Sequence, residues 1–146
     1  MSILIKNGRI ITADSDQLAD IFIEGEKIKA IGNDLKVDAD EIIDASGKLV
    51  FPGGIDPHVH LDMPFMGTFS SDSYETGTRA ALFGGTTMVI DFILQKQGNS
   101  LRAALDEWRS RANGNCVGDY SFHMAVTDFN EETKKEIRHF IEEEGI

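Results

Sequence analysis

Residues 53–65 read GGIDPHVHLDMPF, and the reading of this stretch decides the fold. Taken as an extended strand over Ile55–His60, it puts His58 and His60 on one face, because side chains two apart share a face. Neutral imidazole is the commonest metal ligand and suits zinc, iron and nickel. The pair, just after Asp56, therefore forms half of a candidate metal site. Leu61, Met63, Pro64, Phe65 and Met66 follow. They give an apolar rim beside a polar centre, as small-molecule sites are commonly built. Gly53-Gly54 and Pro57 shape the entry to the strand. A bare His-x-His is weak evidence, so the flanks must carry the argument.

Downstream, strand and helix alternate. A loop long enough to act as a lid leads to a helix over about Ser73–Phe83. Asp72 is its expected N-cap, with Glu75 completing a capping box. Tyr74, Thr78, Ala81 and Leu82 form its inward stripe, and Gly84-Gly85 ends it. Thr86–Phe92 is β-branched and apolar, the pattern of a strand buried on both faces. Ser100 opens a second helix whose Leu101, Ala104, Leu105, Trp108 and Ala112 fall at helical spacing, and Gly114 closes it. Val117–Val126 reads as a third strand. Asp128 and Glu131 then cap a third helix running to Glu144, with Ile137, Phe140 and Ile141 inward. Such alternation implies parallel strands joined by right-handed crossovers. His58 and His60 then sit at the C-terminal end of the first parallel strand, where α/β barrels keep their chemistry. Three βα units cannot close a barrel of eight, which takes roughly 250 residues. The stretch 53–146 thus reads as part of a larger barrel enzyme or as a small open α/β domain.

Upstream, residues 1–52 read as strands. Asn7-Gly8 is a hairpin signal between Ile3–Lys6 and Arg9–Thr12, since both residues tolerate positive φ. Gly25-Glu26 marks a second hairpin between Asp20–Glu24 and Lys27–Ile31. Glu41–Asp44 and Lys48–Phe51 flank Ser46-Gly47. The expectation is a small antiparallel β layer, meeting the βα units near Lys48–Gly54.

Composition narrows the function classes. The chain has 146 residues, 41% hydrophobic and 27% charged, with a formal net charge of -11. It should fold, and it lacks the clustered cations of a nucleic-acid surface. One cysteine, Cys116, allows no internal disulfide and fits a reducing, cytoplasmic setting. The opening MSILIKN is neither a signal peptide nor a membrane span.

The stretch GGIDPHVHLDMPFMGTFSSDSYETGTRAALFGGTTMVIDF, with LIKNGRIITAD, ADIFIEGEKIKAIG and FHMAVTDF, closely resembles the dihydropyrimidinases and D-hydantoinases of the amidohydrolase superfamily. The resemblance covers nearly all of the chain. It implies the N-terminal part of an α/β, metal-dependent (β/α)8 TIM-like barrel hydrolase. Residues 1–52 would contribute strands to a small β-sandwich, and residues 53–146 the first three βα units of the barrel. It implies two divalent metal ions, usually zinc, with His58 and His60 as the first two ligands. A carboxylated lysine, two histidines and an aspartate would come from later strands; Lys134, Lys135, His123 and His139 match none of these positions. Met63, Pro64 and Phe65 match a loop that shapes the substrate pocket. The implied reaction opens a dihydropyrimidine or a 5-substituted hydantoin to an N-carbamoyl amino acid, in a homo-oligomer, typically a tetramer. By the same resemblance, this portion alone is inactive. Two rivals are an allantoinase-like hydrolase and a non-catalytic interaction protein resembling the collapsin-response mediators. The apolar 62–77 stretch and the intact histidines speak against them in turn.

Other residues admit a functional and a plain reading. Asp56 either orients a histidine as a supporting partner or satisfies backbone near the strand end. Asp91, at the end of the second strand and toward the same mouth, either supports the site through a hydrogen bond or is a buried, satisfied carboxylate. His123, in the third strand, faces the barrel on fold logic alone, but a core histidine with a hydrogen-bonded ring is the plainer reading; His139 reads as solvated, and Cys116 as a small structural residue. Arg79 pairs with Glu75 at i,i+4 spacing, and Trp108 belongs to the core.

Overall fold

A computed structural model describes all residues, Met1–Ile146. The chain divides into two compact units, Met1–Pro52 and Gly53–Ile146.

The first unit is a five-stranded sheet of β1 (Ser2–Ile11), β2 (Asp16–Glu24), β3 (Lys27–Gly32), β4 (Glu41–Asp44) and β5 (Leu49–Val50). Its order is β3-β2-β1-β4, with β5 also on β1. The expected hairpin at Asn7-Gly8 is absent, because β1 runs straight through it. Ile5 pairs with Ile21 and Gly8 with Ala19, so Lys6 and Asn7 oppose Asp20 alone. The positive φ of Asn7, 61°, makes a bulge rather than a turn. Buried Asp20 stabilises it by accepting the N–H groups of Asn7 and Leu35 at 2.9 and 3.0 Å. Gly8 lies where a Cβ would stand 2.7 Å from the Val50 side chain. The Gly25-Glu26 turn forms as read, between β2 and β3. The layer is mixed, however, because β4 and β5 both pair parallel to β1. Ser46-Gly47 is a jog between two strands on the same edge, not a hairpin between partners. Ile10, Ala19 and Ile21 form the unit's small core.

The second unit holds a three-stranded parallel sheet, β6 (Gly54–Val59), β9 (Thr86–Leu94) and β10 (Asp119–Ala125), in the order β10-β9-β6. Between β6 and β9 come a short hairpin, β7 (Pro64–Phe65) with β8 (Thr68–Phe69), and α1 (Tyr74–Phe83). Next are α2 (Leu101–Ala112) and α3 (Glu131–His139), which is continued by one π-helical turn, Phe140–Glu144. Alternate residues of β9, Val89, Asp91 and Ile93, are buried, while Ile90, Phe92 and Leu94 are half-buried. The two faces of this strand therefore differ, contrary to the two-sided burial its composition suggests.

All five predicted contacts of α2 are buried, and Ser100 caps it by accepting the Ala103 N–H. The caps of the other helices sit one or two residues from where they are expected. Ser73, with Thr76, makes the capping box of α1, and Asp72 accepts from the Thr76 hydroxyl instead. Asn130 caps α3, and Asp128 instead accepts the Gly98 N–H from another loop. One predicted inward residue faces out, Ile141 at 65% exposed; Leu82 is partly exposed but lies beside Gly118. At Ile141 the cause is local, since a π-turn adds a residue per turn and shifts the facing. Glu75 and Arg79 form the expected pair at 3.1 Å. No helix is long and apolar enough to cross a membrane.

Candidate metal centre

The centre is built on a flaw in a strand. β6 pairs with β9 at Asp56↔Val89 and next at Val59↔Asp91. Pro57 and His58 thus oppose one residue, Ile90, which makes a bulge at the strand's C-terminal end. Proline suits a bulge because it has no N–H to give to the ladder. Gly53 admits no side chain, since a Cβ there would lie 2.1 Å from the Thr87 hydroxyl. β6 therefore enters the sheet hard against β9.

His58 and His60 share one face, as their spacing predicts. Their Nε2 atoms are 3.2 Å apart and their rings stand edge to face. Two nitrogens bound to one tetrahedral zinc at ~2.05 Å are separated by roughly 3.3 Å. The pair fits a single divalent ion. Both imidazoles are exposed on the strand face. They rest on Phe92, with ring centroids at 4.4 and 5.5 Å. No group of three or more His, Cys, Asp or Glu side chains converges as a metal set; the pair converges alone.

Asp56 is tied to the backbone: its Oδ1 accepts the His58 N–H at 3.1 Å. Asp91 does not lie on the imidazole face. It is 0% exposed and points to the helix side of β9, one residue out of phase with Phe92. There it accepts the Tyr74 hydroxyl at 2.6 Å, the Phe92 N–H at 2.7 Å and the Leu61 N–H at 3.3 Å. Burial raises its pKa, and these hydrogen bonds, led by Tyr74, oppose the shift. Asp91 is thus a buried, satisfied carboxylate that also holds the backbone just after His60. Leu61 itself is locked over Gly77, where a Cβ would come within 2.4 Å of it.

His123 is not a core residue. It is exposed on the imidazole face, where its ring lies 5.0 Å from Phe92 and its Nε2 is 3.1 Å from the Pro57 carbonyl oxygen. His139 is not simply solvated, since its Nε2 is 2.8 Å from Arg102 Nη2. Cys116 is half-buried, and burial pushes its thiol pKa up to about 11. At neutral pH it is thus the protonated thiol rather than the nucleophilic thiolate.

A cleft of about 470 Å³ opens beside His60, lined by Met63, Phe65, Thr68, Phe69, Ser70 and Leu94. Met63 is buried beneath it and Phe65 is 63% exposed at its edge. The lid stretch is a tight hairpin, turning at Met66 (φ 48°) and Gly67 (φ 83°). Methionine seldom takes a positive φ, so its sequence gave little warning of this turn. Phe92, Phe69 and Leu94 also escape a reading of the sequence. Phe92 could have been found from its alternation with Asp91, but Phe69 and Leu94 meet only in the folded chain.

The sequence profile of the amidohydrolase family matches residues 49–145. The D-hydantoinase of Geobacillus stearothermophilus is 49% identical over 146 residues, all of this chain and 31% of that protein. The dihydropyrimidinase of Rattus norvegicus is 43% identical over 149 residues, 99% of this chain and 29% of that one. The crystal structure of dihydropyrimidinase from Brevibacillus agri NCHU1002 superposes with a TM-score of 0.97 at 49% identity, over 100% of this chain and 32% of that chain. The chain thus spans about three-tenths of the length of the curated relatives it matches. The histidine pair at a parallel strand's end and matches along the whole chain agree: it belongs to the metal-dependent amidohydrolase family, with the dihydropyrimidinases and D-hydantoinases.

Proposed function

We propose that this chain is the metal-binding N-terminal part of a cyclic-amide hydrolase of the dihydropyrimidinase or D-hydantoinase type. In this reading Gly53–Ile146 is the start of a (β/α)8 barrel, and Met1–Pro52 supplies strands to a β-sandwich. The observation that carries it is the convergence of His58 and His60 Nε2 to 3.2 Å at the C-terminal end of a parallel strand. The two histidines hold one of two divalent ions, zinc by the resemblance, and later strands complete the set. Bound metals supply an acidified water and a polarised carbonyl. The chain's own residues bind and orient. Met63 and Phe65, with Phe69, give the substrate's ring substituent an apolar wall, and the cleft's volume is within the usual range for small-molecule sites. Asp56 and Asp91 support the pair through the His58 and Leu61 N–H groups. Overall, water adds across a ring C–N amide bond and leaves an N-carbamoyl amino acid. A homo-oligomeric, cytoplasmic enzyme follows from the same resemblance and from the lone cysteine.

The test is metal analysis of the full-length protein by mass spectrometry, with turnover of dihydrouracil and a 5-substituted hydantoin. Close to two divalent ions per subunit are expected, and His58→Ala should lose most metal and activity. An active, metal-replete His58→Ala enzyme would sink the assignment. A metal-free, inactive wild type would favour the non-catalytic reading.

A further inference from the structure

The Pro57–His58 peptide is held on both sides by side chains. Its carbonyl oxygen lies 3.1 Å from His123 Nε2, 66 residues away, and its N–H donates to Asp56 Oδ1 at 3.1 Å. This is the point where the β6–β9 ladder slips. A peptide unit is planar, so fixing its two polar ends fixes the plane, and with it the direction in which the His58 side chain leaves the backbone. A carbonyl can only accept, so His123 Nε2 carries the proton. That nitrogen is thereby committed and is not free to bind a metal. Phe92 packs between the His58 and His123 rings, at 4.4 and 5.0 Å, and keeps His123 beneath the carbonyl.

We propose that His123, acting with Asp56, is a positioning residue that sets the Pro57–His58 peptide and so preorganises the His58–His60 pair for its metal. The inference rests on reading those two histidines as ligands. Supporting groups of this kind change metal affinity about 10–100-fold when removed.

The experiment measures the zinc dissociation constant of the full-length protein by chelator competition, together with the melting temperature of each metal-free variant. His123→Leu keeps an apolar contact with Phe92 but has no donor, and should weaken zinc binding by about tenfold or more. His123→Gln keeps an N–H donor and should recover most of that loss. Asp56→Ala should weaken binding and Asp56→Asn, which keeps an acceptor, should weaken it less. The His123→Leu/Asp56→Ala double variant should lose less than the two single losses combined, because both act on one plane. Wild-type affinity in His123→Leu would overturn the proposal. So would equal losses in the Leu and Gln variants, or an affinity loss that merely follows the melting temperature. His58→Ala separates the two readings. If it keeps its metal, the ligand assignment fails and this inference with it. If it loses metal while His123→Leu does not, only the positioning role fails.

Discussion

Tyr74 shows how one side chain can carry both packing and polarity. It is buried with the core of the second unit, and its hydroxyl donates to Asp91 at 2.6 Å. Burial, then the hydrogen bond to Asp91, drives the phenol's pKa upward, so it is a donor at neutral pH. Tyr74→Phe keeps the ring and leaves a buried carboxylate with one donor fewer. We expect it to destabilise the protein by roughly 1–3 kcal/mol, read from urea midpoints. A loss near zero would show that the Leu61 and Phe92 N–H groups satisfy Asp91 by themselves. At this scale the sequence was clear about His58 and His60, because a spacing of two decides the face of a strand without tertiary information. It left two readings open for Asp91 and favoured a core position for His123, which the structure does not bear out. Which way each side chain turns depends on the strand's phase in the sheet and on what lies across it.

Among the elements, α2 and α3 show the contrast between pattern and context. The apolar stripe of α2 has a clean helical period and all of it is buried. α3 departs at its end, where Phe140–Glu144 winds as a π-turn. That turn brings Glu144 to Arg102 at 2.6 Å and Arg109 at 2.7 Å, tying it to α2. Hydrogen bonds from Arg109, then Arg102, hold the Glu144 carboxyl below the ordinary glutamate value of 4.5. The depressed pKa gives a sign: its contribution is fully present above about pH 4.5 and is lost as pH falls through the lower folded value. Glu144→Gln should therefore lower the melting temperature near neutral pH, with the gap to wild type closing toward pH 3. A gap independent of pH would show that the charge is not the source. The Asn7-Gly8 bulge teaches the same lesson. Both residues announce a positive φ, but whether that gives a hairpin or a bulge is settled by the long partner strand β2 and by Asp20 beneath it.

For the molecule as a whole, the proposed ligand pair sets what the chain should do by itself. Catalytic zinc sites use three protein ligands and an open position, whereas here two imidazoles converge and no larger metal set forms. The 146-residue chain alone should bind zinc weakly and give no turnover of dihydrouracil by product chromatography. Measurable turnover would refute the proposed division of the site. The sequence by itself determined the strand–helix alternation, the α2 core, the shared face of His58 and His60 and, through its flanks, the family. These are properties of local periodicity and of residue identity along the chain. Only the tertiary structure decided that β4 and β5 run parallel to β1, that β6 slips at Pro57, that Asp91 turns inward and that His123 reaches Pro57. Each depends on contacts between residues distant in the chain, and no local pattern encodes which strand edge or carbonyl will lie across the gap.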